Sequence, residues 1–365
     1  MTDPPDRPPA PRGRLIARGS ADNPANRFER LRVVADAELE PPCDDDTGEP
    51  APVPTLYLRD PTRTLLAHND SPDLGFDTSL NPYRGCAHGC AYCFARPTHE
   101  YLGFSAGLDF ETRILVKEDA PELLRRALSS PRWEPRVVAL SGVTDAYQPV
   151  EAKLRLTRRC LEVFAEFRNP VTIITKSALV ARDADLLAEL ARHQAASVHV
   201  SVTSLDDSLR RVLEPRASSP RSRLAAIETL AAVGVPVGVI CAPVIPAVND
   251  SEIPAVLDAA AKAGARGAGW VMLRLPHGLK ELFESWLARH FPERKERVLS
   301  RLREVGGGAL YDSRFHTRQR GTGVYAEQIR SLFELARRRA GLANERTPLS
   351  TAAFRRPGSA QLSLL

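Results

Sequence analysis

The chain has 365 residues, 43% of them hydrophobic, which is enough to bury a sizeable core and points to one large domain of roughly 200–250 residues with additions. Its formal charge of +5 and pI of about 9.0 permit nucleic-acid binding without requiring it. No run of about 18 apolar residues occurs, so no membrane span is expected. The N-terminus has no apolar signal core, which points to the cytoplasm.

Residues 1–54 are rich in Pro, Asp, Glu, Arg and Ala with little periodicity, the composition of a largely disordered extension. Within it, residues 26–34 (NRFERLRVV) read as a segment able to dock on the body. Cys43 lies among acids (EPPCDDD), which raise a thiol's pKa and lower its reactivity, and reads as an incidental exposed thiol. Residues 55–66 carry the pattern of a strand and a turn, and residues 81–85 read as the tail of the first strand of the main sheet.

Residues 81–97 read NPYRGCAHGCAYCFARP and hold three of the six cysteines, Cys86, Cys90 and Cys93, in the spacing C-x3-C-x2-C. Gly85 and Gly89 free the loop to turn tightly around one small object. Three thiolates suit a soft metal centre: an iron–sulfur cluster, zinc or copper(I). Zinc usually takes four ligands, so a zinc reading needs His88 or His99 as the fourth. Three buried structural thiols have no reason to occupy a glycine-rich loop at this spacing.

Beyond the loop, strands and helices alternate. Apolar or β-branched runs at 137–141, 171–175, 198–203, 235–240 and 269–273 read as buried parallel strands. Residues 154–167, 185–192, 223–233 and 253–263 have helical spacing. Counting the strand before the loop, six such units make an open, partial (β/α)6 barrel over residues 55–276, TIM-like in its α/β layering. Function is expected at the C-terminal strand ends. Polar residues stand there: Thr144, Asp145, Tyr147 and Gln148 after the second strand, Lys176 and Ser177 after the third, Ser201 and Ser204 at the fourth, Cys241-Ala242-Pro243 at the fifth. Cys160 and Cys241 read as packing residues.

Residues 277–343 form a helical extension, and 344–365 a flexible tail. Between Trp286 and Ala340 there are 13 Lys and Arg against 6 Asp and Glu. A solvated helical cap accounts for this; the sharper reading is a surface for nucleic-acid phosphates.

C-x3-C-x-Φ-C with Tyr92 before the third cysteine resembles the signature of the radical S-adenosylmethionine (SAM) superfamily. Residues 79–110 resemble its uncharacterised bacterial members that are similar to spore photoproduct lyase. The resemblance implies a [4Fe–4S] cluster on Cys86, Cys90 and Cys93, with one iron left to bind S-adenosylmethionine, reductive cleavage to a 5′-deoxyadenosyl radical, and an electron donor such as flavodoxin or ferredoxin. It implies that Tyr92 lies along the adenine, Thr144 near the methionine end, Lys176 at the carboxylate, Ser201 at the ribose, and the backbone at Ala242 against the adenine. One departure stands out: Gly142 aligns with the lyase cysteine that returns a hydrogen atom, which leaves Tyr147 either as a candidate donor or as a structural hydroxyl. The other readings are a nucleic-acid-binding protein with a structural metal or cluster, and an electron-transfer cluster protein; neither cleaves the cofactor.

Overall fold

The β-branched runs form strands because each is short, apolar and closed by a turn, and the helices between them return the chain to the same end of the sheet. The computed structural model describes residues 15–28, 52–344 and 347–357; Cys43 and residues 358–365 lie outside them. The strands are β1 Leu56–Arg59, β2 Leu66–His68, β3 Thr78–Leu80, β4 Tyr83–Arg84, β5 Arg113–Val116, β6 Val138–Leu140, β7 Val171–Thr175, β8 Ala196–Ser201, β9 Val237–Val244 and β10 Gly267–Met272. Seven form one sheet in the order β10-β9-β8-β7-β6-β3-β2, parallel from β3 to β10, with β2 antiparallel at the edge. Six parallel strands with helical crossovers are the partial (β/α)6 barrel. A second small sheet, β1-β5-β4, lies beside it.

Residues 81–85 do not extend the first barrel strand. β3 ends at Leu80 because Pro82 has no N–H for the ladder, and Tyr83–Arg84 instead pairs antiparallel with β5. The chain leaves the barrel at the rim and enters the cysteine loop from the small sheet.

Register sorts the two faces of the barrel. Val171, Ile173, Val198, Val200, Val237, Val239 and Cys241 are buried against the helices, as is Cys160 from the helix Leu156–Phe167. The opposite face pairs Thr172 with Ser197, Ile174 with His199, His199 with Gly238, and Ile240 with Gly269. This inner face mixes small and polar residues with Ile174 and Ile240. A cavity of ≈ 670 Å³ opens on it, lined by Ser197, His199, Gly238, Ile240, Gly267 and Gly269 among others.

The C-terminal extension covers what an open barrel leaves bare. Phe333, on the helix Gly323–Arg339, packs at 6.0 Å from Trp270. Ala343 N–H bonds to the Arg266 carbonyl (2.9 Å) along the free edge of β10, which caps an edge that is otherwise a pairing hazard. Residues 312–320 then cross to the opposite edge. The Met272 N–H bonds to Gln319 O (2.8 Å) on the β10 side. On the β2–β3 side, the Asp73 carboxylate accepts from the His316 N–H at 2.6 Å and from Arg318 at 2.5 Å.

Within the extension expected to be largely disordered and the tail expected to be flexible, the described residues are held to the body. Residues 15–28 lie on the cysteine loop, and residues 347–357 run beneath the barrel. There Ser350 N–H bonds to Gln194 O and Arg355 N–H to Phe167 O, both at 2.9 Å, and Phe354 packs at 6.3 Å from Phe167. Composition gives no sign of either segment, because scattered backbone and side-chain hydrogen bonds and an aromatic contact hold them, with no periodicity to read.

The Asp73 side chain is 3% exposed. Asp73→Ala is therefore expected to cost about 1–3 kcal/mol and to speed amide exchange at 312–320 while the barrel strands stay protected. Hydrogen-exchange mass spectrometry checks this; unchanged exchange would show that the tie to Asp73 does not hold the segment.

Candidate active site

The cysteine loop is a chain of tight turns: Gly89 N–H bonds to Cys86 O (3.3 Å), Cys93 N–H to Cys90 O (3.2 Å) and Arg96 N–H to Cys93 O (3.1 Å). Gly85 and Gly89 have φ of 78° and 66°, which suit glycine. A Cβ on Gly89 would also lie 2.4 Å from the Glu111 carboxylate. The turns bring the three thiols within electrostatic reach of one another. Cys86 and Cys90 are buried and Cys93 is half-buried, and none is in a disulfide. Burial pushes the Cys90 thiol well up, Glu214 adds to this, and Lys176 opposes it. A thiolate here needs a cation beside it, which a metal centre supplies. Among the described residues no three His, Cys, Asp or Glu side chains close on a single ion position. A polynuclear cluster makes a different demand, because its cysteines are shared among several irons. The donor set fits such a cluster.

Of the two histidines of the zinc alternative, His88 is tied to a neighbour, whereas buried His99 has neither ring nitrogen in a hydrogen bond; among the described residues no set of three ligands gathers around an ion position with it. Burial alone would lower the His88 pKa, but Asp145 and the Cys86 sulfur raise it to about 10. Its Nδ1 lies 3.4 Å from the Asp145 carboxylate, which engages that nitrogen. His99 packs between the rings of Phe104 (5.2 Å) and Phe110 (5.6 Å).

The loop is clamped from several elements. Buried Gln148 accepts from the Ala87 N–H (2.8 Å) and donates to the Gly85 carbonyl (3.2 Å). Ala91 N–H bonds to Leu213 O (3.0 Å), and Arg216 N–H to His88 O (3.2 Å). Fully buried Arg96 donates to the Cys90 carbonyl from two nitrogens (3.0 and 2.9 Å), to Gly107 O (2.7 Å) and to Glu111 (2.7 Å). Asp145 joins the loop to β7: it accepts from Thr175 Oγ1 and from the Lys176 N–H, both at 2.7 Å. Burial alone would raise the Asp145 pKa, but His88 and these hydrogen bonds bring it down to about 2.

Lys176, Ser201 and Ala242 meet at the top of the inner face. Lys176 Nζ donates to Ser201 Oγ (3.0 Å), which donates to the Ala242 carbonyl (3.0 Å). The ammonium stands 5.7 Å from the centre of the Tyr92 ring. The Tyr92 hydroxyl donates to buried Glu214, which also accepts from Thr203 Oγ1 (2.6 Å) and pairs with buried Arg223. Burial alone would raise the Glu214 pKa, but the Arg223 and Lys176 charges bring it down to about 2. Two residues below Ser201 and Ala242 on the same face stand His199 and Ile240, which line the cavity. Thr144 is set apart: its hydroxyl donates to the Tyr83 carbonyl (3.1 Å), which leaves it only lone pairs to offer.

Tyr147 is a correction. Its ring is wholly buried in the helix-side core, and its hydroxyl donates to Asp183 at 3.1 Å. Asp183 is itself paired with Arg158 and Arg182. The β6 loop turns this side chain away from the rim, so it cannot deliver a hydrogen atom there. Gly142 does face the rim, where a Cβ would lie 3.4 Å from that of Ser79. Sequence reasoning missed Arg96, Glu111, Glu214 and Arg223. Each is a lone charge with no motif spacing, and only its burial marks it.

Residues 80–260 match the family model of the radical SAM superfamily. A protein of Mycobacterium tuberculosis described as uncharacterized is 40% identical over 234 residues, covering 64% of this chain and 68% of the relative. One of Methanocaldococcus jannaschii, described likewise, is 30% identical over 173 residues, or 47% of this chain and 62% of that protein. A solved structure of a spore photoproduct lyase mutant is similar in fold, with a TM-score of 0.54 at 16% identity over 80% of this chain and 82% of its own.

Tyr147→Phe is expected to lower stability by about 1.5–3 kcal/mol, the range for a hydrogen bond to a charged group, and to leave reductive SAM cleavage within twofold of wild type. Denaturant melts and 5′-deoxyadenosine assays check both; loss of cleavage in a folded variant would return Tyr147 to the site.

Proposed function

This chain belongs to the radical SAM superfamily, and we propose that Cys86, Cys90 and Cys93 hold its [4Fe–4S] cluster while Tyr92, Lys176, Ser201 and Ala242 hold S-adenosylmethionine beside it. Cluster and SAM are the cofactors of this enzyme family, and when bound they supply a 5′-deoxyadenosyl radical that abstracts hydrogen from a substrate. The observation that carries the assignment is the line Lys176–Ser201–Ala242 along the strand tops next to the cysteine loop. Lys176 offers a compact cation for a carboxylate. Ser201 and the Ala242 carbonyl, bonded here to each other and to Lys176 and Thr203, would exchange those bonds for a ribose or an adenine edge. Glu214 and Arg223 fix Tyr92 from below, so its ring presents a set face. We assign Thr144 the outer, methionine end, as an acceptor. The substrate reaches the cavity beneath, floored by His199, Gly238 and Gly269.

Enzymes of this family need a reductant such as flavodoxin or ferredoxin, and we place the protein in the cytoplasm, whose reducing poise keeps thiols free. Among the described residues no helix is long and apolar enough to cross a membrane. The spore photoproduct route is not proposed, because Gly142 stands at the position aligned with its cysteine and Tyr147 is buried. A nucleic-acid substrate is supported by the arginine excess of the C-terminal extension alone. Several of those arginines pair within their own helices or turns, as Arg301 does with Glu304 and Arg337 with Glu334, so the field is weaker than the count.

Anaerobic, reconstituted protein given dithionite and SAM is expected to form 5′-deoxyadenosine. Cys90→Ala should remove both the visible absorbance and the product, and retained turnover would overturn the cysteine assignment. Lys176→Ala should weaken SAM binding about tenfold or more with the absorbance intact; unaltered affinity would take Lys176 out of the site. Single-stranded DNA or RNA should bind with a log–log salt slope of several units, and a flat slope would exclude the phosphate reading.

A further inference from the structure

We propose that residues 18–24 are a strap that closes the outer face of the cysteine loop, and that its seat, Gly19 on Gly89 with Glu111 between, positions the loop and keeps the cluster dry. This rests on the reading of Cys86, Cys90 and Cys93 as cluster ligands.

The strap meets the loop backbone to backbone. A Cβ on Gly19 would fall 1.7 Å from the Gly89 carbonyl oxygen, between Cys86 and Cys90, so no other residue fits there with the strap seated. The same holds one turn on, where a Cβ on Gly107 would lie 1.9 Å from Asp22 O. The Glu111 carboxylate receives the Gly19 N–H (3.0 Å) and the Ser20 N–H (2.7 Å) on one side and Arg96 (2.7 Å) on the other. Arg96 in turn holds the Cys90 carbonyl. Strap, carboxylate, guanidinium and ligand loop are thus one unbroken chain of buried hydrogen bonds.

Either end of the strap is tied to a separate part of the body. Arg18 donates to Val53 O (2.8 Å), Thr55 Oγ1 (2.9 Å) and Glu111 O (3.2 Å). Asn23 exchanges two hydrogen bonds with Asp109, its Nδ2 donating to the carboxylate (3.0 Å) and its Oδ1 accepting the Asp109 N–H (2.9 Å). Leu108 N–H bonds to Asp22 O at 3.0 Å. None of these contacts reaches the barrel interior, so the strap does not shape the substrate space. What it shapes is the wall behind the ligands. Groups that orient metal ligands from behind commonly change metal affinity 10–100-fold, and exposure to water moves a cluster's reduction potential. Water favours the reduced form, which carries one more negative charge, so lifting the strap should raise the potential.

The test uses full-length, reconstituted protein. Gly19→Val places a branched side chain where there is no room, and Asn23→Ala loosens the strap without touching the loop. Three readings are taken: tryptic cleavage after Arg18, loss of visible absorbance to a ferrous chelator, and the midpoint potential, with circular dichroism to show the barrel folded. Gly19→Val should expose Arg18, speed cluster loss about tenfold and raise the potential; Asn23→Ala should do the same to a smaller extent. A strap that merely packs would leave the potential unmoved. Cluster loss within twofold of wild type with Arg18 freely cut overturns the proposal. So does an Arg18 that stays protected in Gly19→Val, because the contact then does not seat the strap. Should Gly19→Val fail to fold, an unchanged loss rate and potential in Asn23→Ala overturn it equally. Failure of the wild-type protein to take up a cluster would instead refute the ligand assignment itself.

Discussion

The buried pair of Arg96 and Glu111 is the constraint on which the site depends. Both side chains are fully buried, and taking two charges out of water is costly unless their remaining hydrogen bonds are met. Here they are. Arg96 donates to three carbonyls and a carboxylate, with its guanidinium 5.4 Å from the Phe110 ring. Glu111 accepts from two further backbone amides. Deleting either partner leaves an uncompensated charge worth about 3–5 kcal/mol. Deleting Arg96 also frees the Cys90 carbonyl, so the energetics of the pair and the geometry of the cysteine loop are one problem.

Why polar clamps hold this loop, and apolar packing does not, follows from its backbone. Three cysteines within eight residues, turned toward one another, require irregular chain, and buried irregular chain leaves N–H and C=O groups that no ladder pairs. Gln148 takes one of each. The segment 213–216 takes another of each. Asp145 carries the clamp on to the end of β7 through Thr175 and the Lys176 amide, so Lys176 is fixed from the same side as the cysteines.

The barrel is open by construction, since six parallel strands do not close. The C-terminal extension answers this with 312–320, which bonds to β10 at one end and to Asp73 at the other. The extension is thus first a structural closure, and its arginines serve that closure before any ligand: Arg318 holds Asp73, and Arg320 donates to Trp270 O at 2.7 Å. A charge count over this region cannot distinguish a brace from a phosphate surface.

The cysteine spacing, the five β-branched runs and the polar residues after them were legible because each obeys a local rule: ligand spacing, period-two burial, and the placement of function at strand ends. Lys176, Ser201 and Ala242 came from a resemblance, and the chain brings them within hydrogen-bond contact because alternation along neighbouring strands puts them on one face. Tyr147 was misread because position after a strand does not say which way a loop turns its side chain, and the hydroxyl found Asp183 in the core. The seating of residues 18–24 was not legible, because glycine, asparagine and proline look the same in a disordered tail as in a segment held by hydrogen bonds to distant groups. By itself the sequence determined the fold class and the three-thiol centre, since both rest on interactions between residues near in the chain. Only the tertiary structure decided what stands behind that centre, because Gly19, Gly89, Arg96 and Glu111 meet across up to 92 positions and a lone charge declares its role only through what buries it.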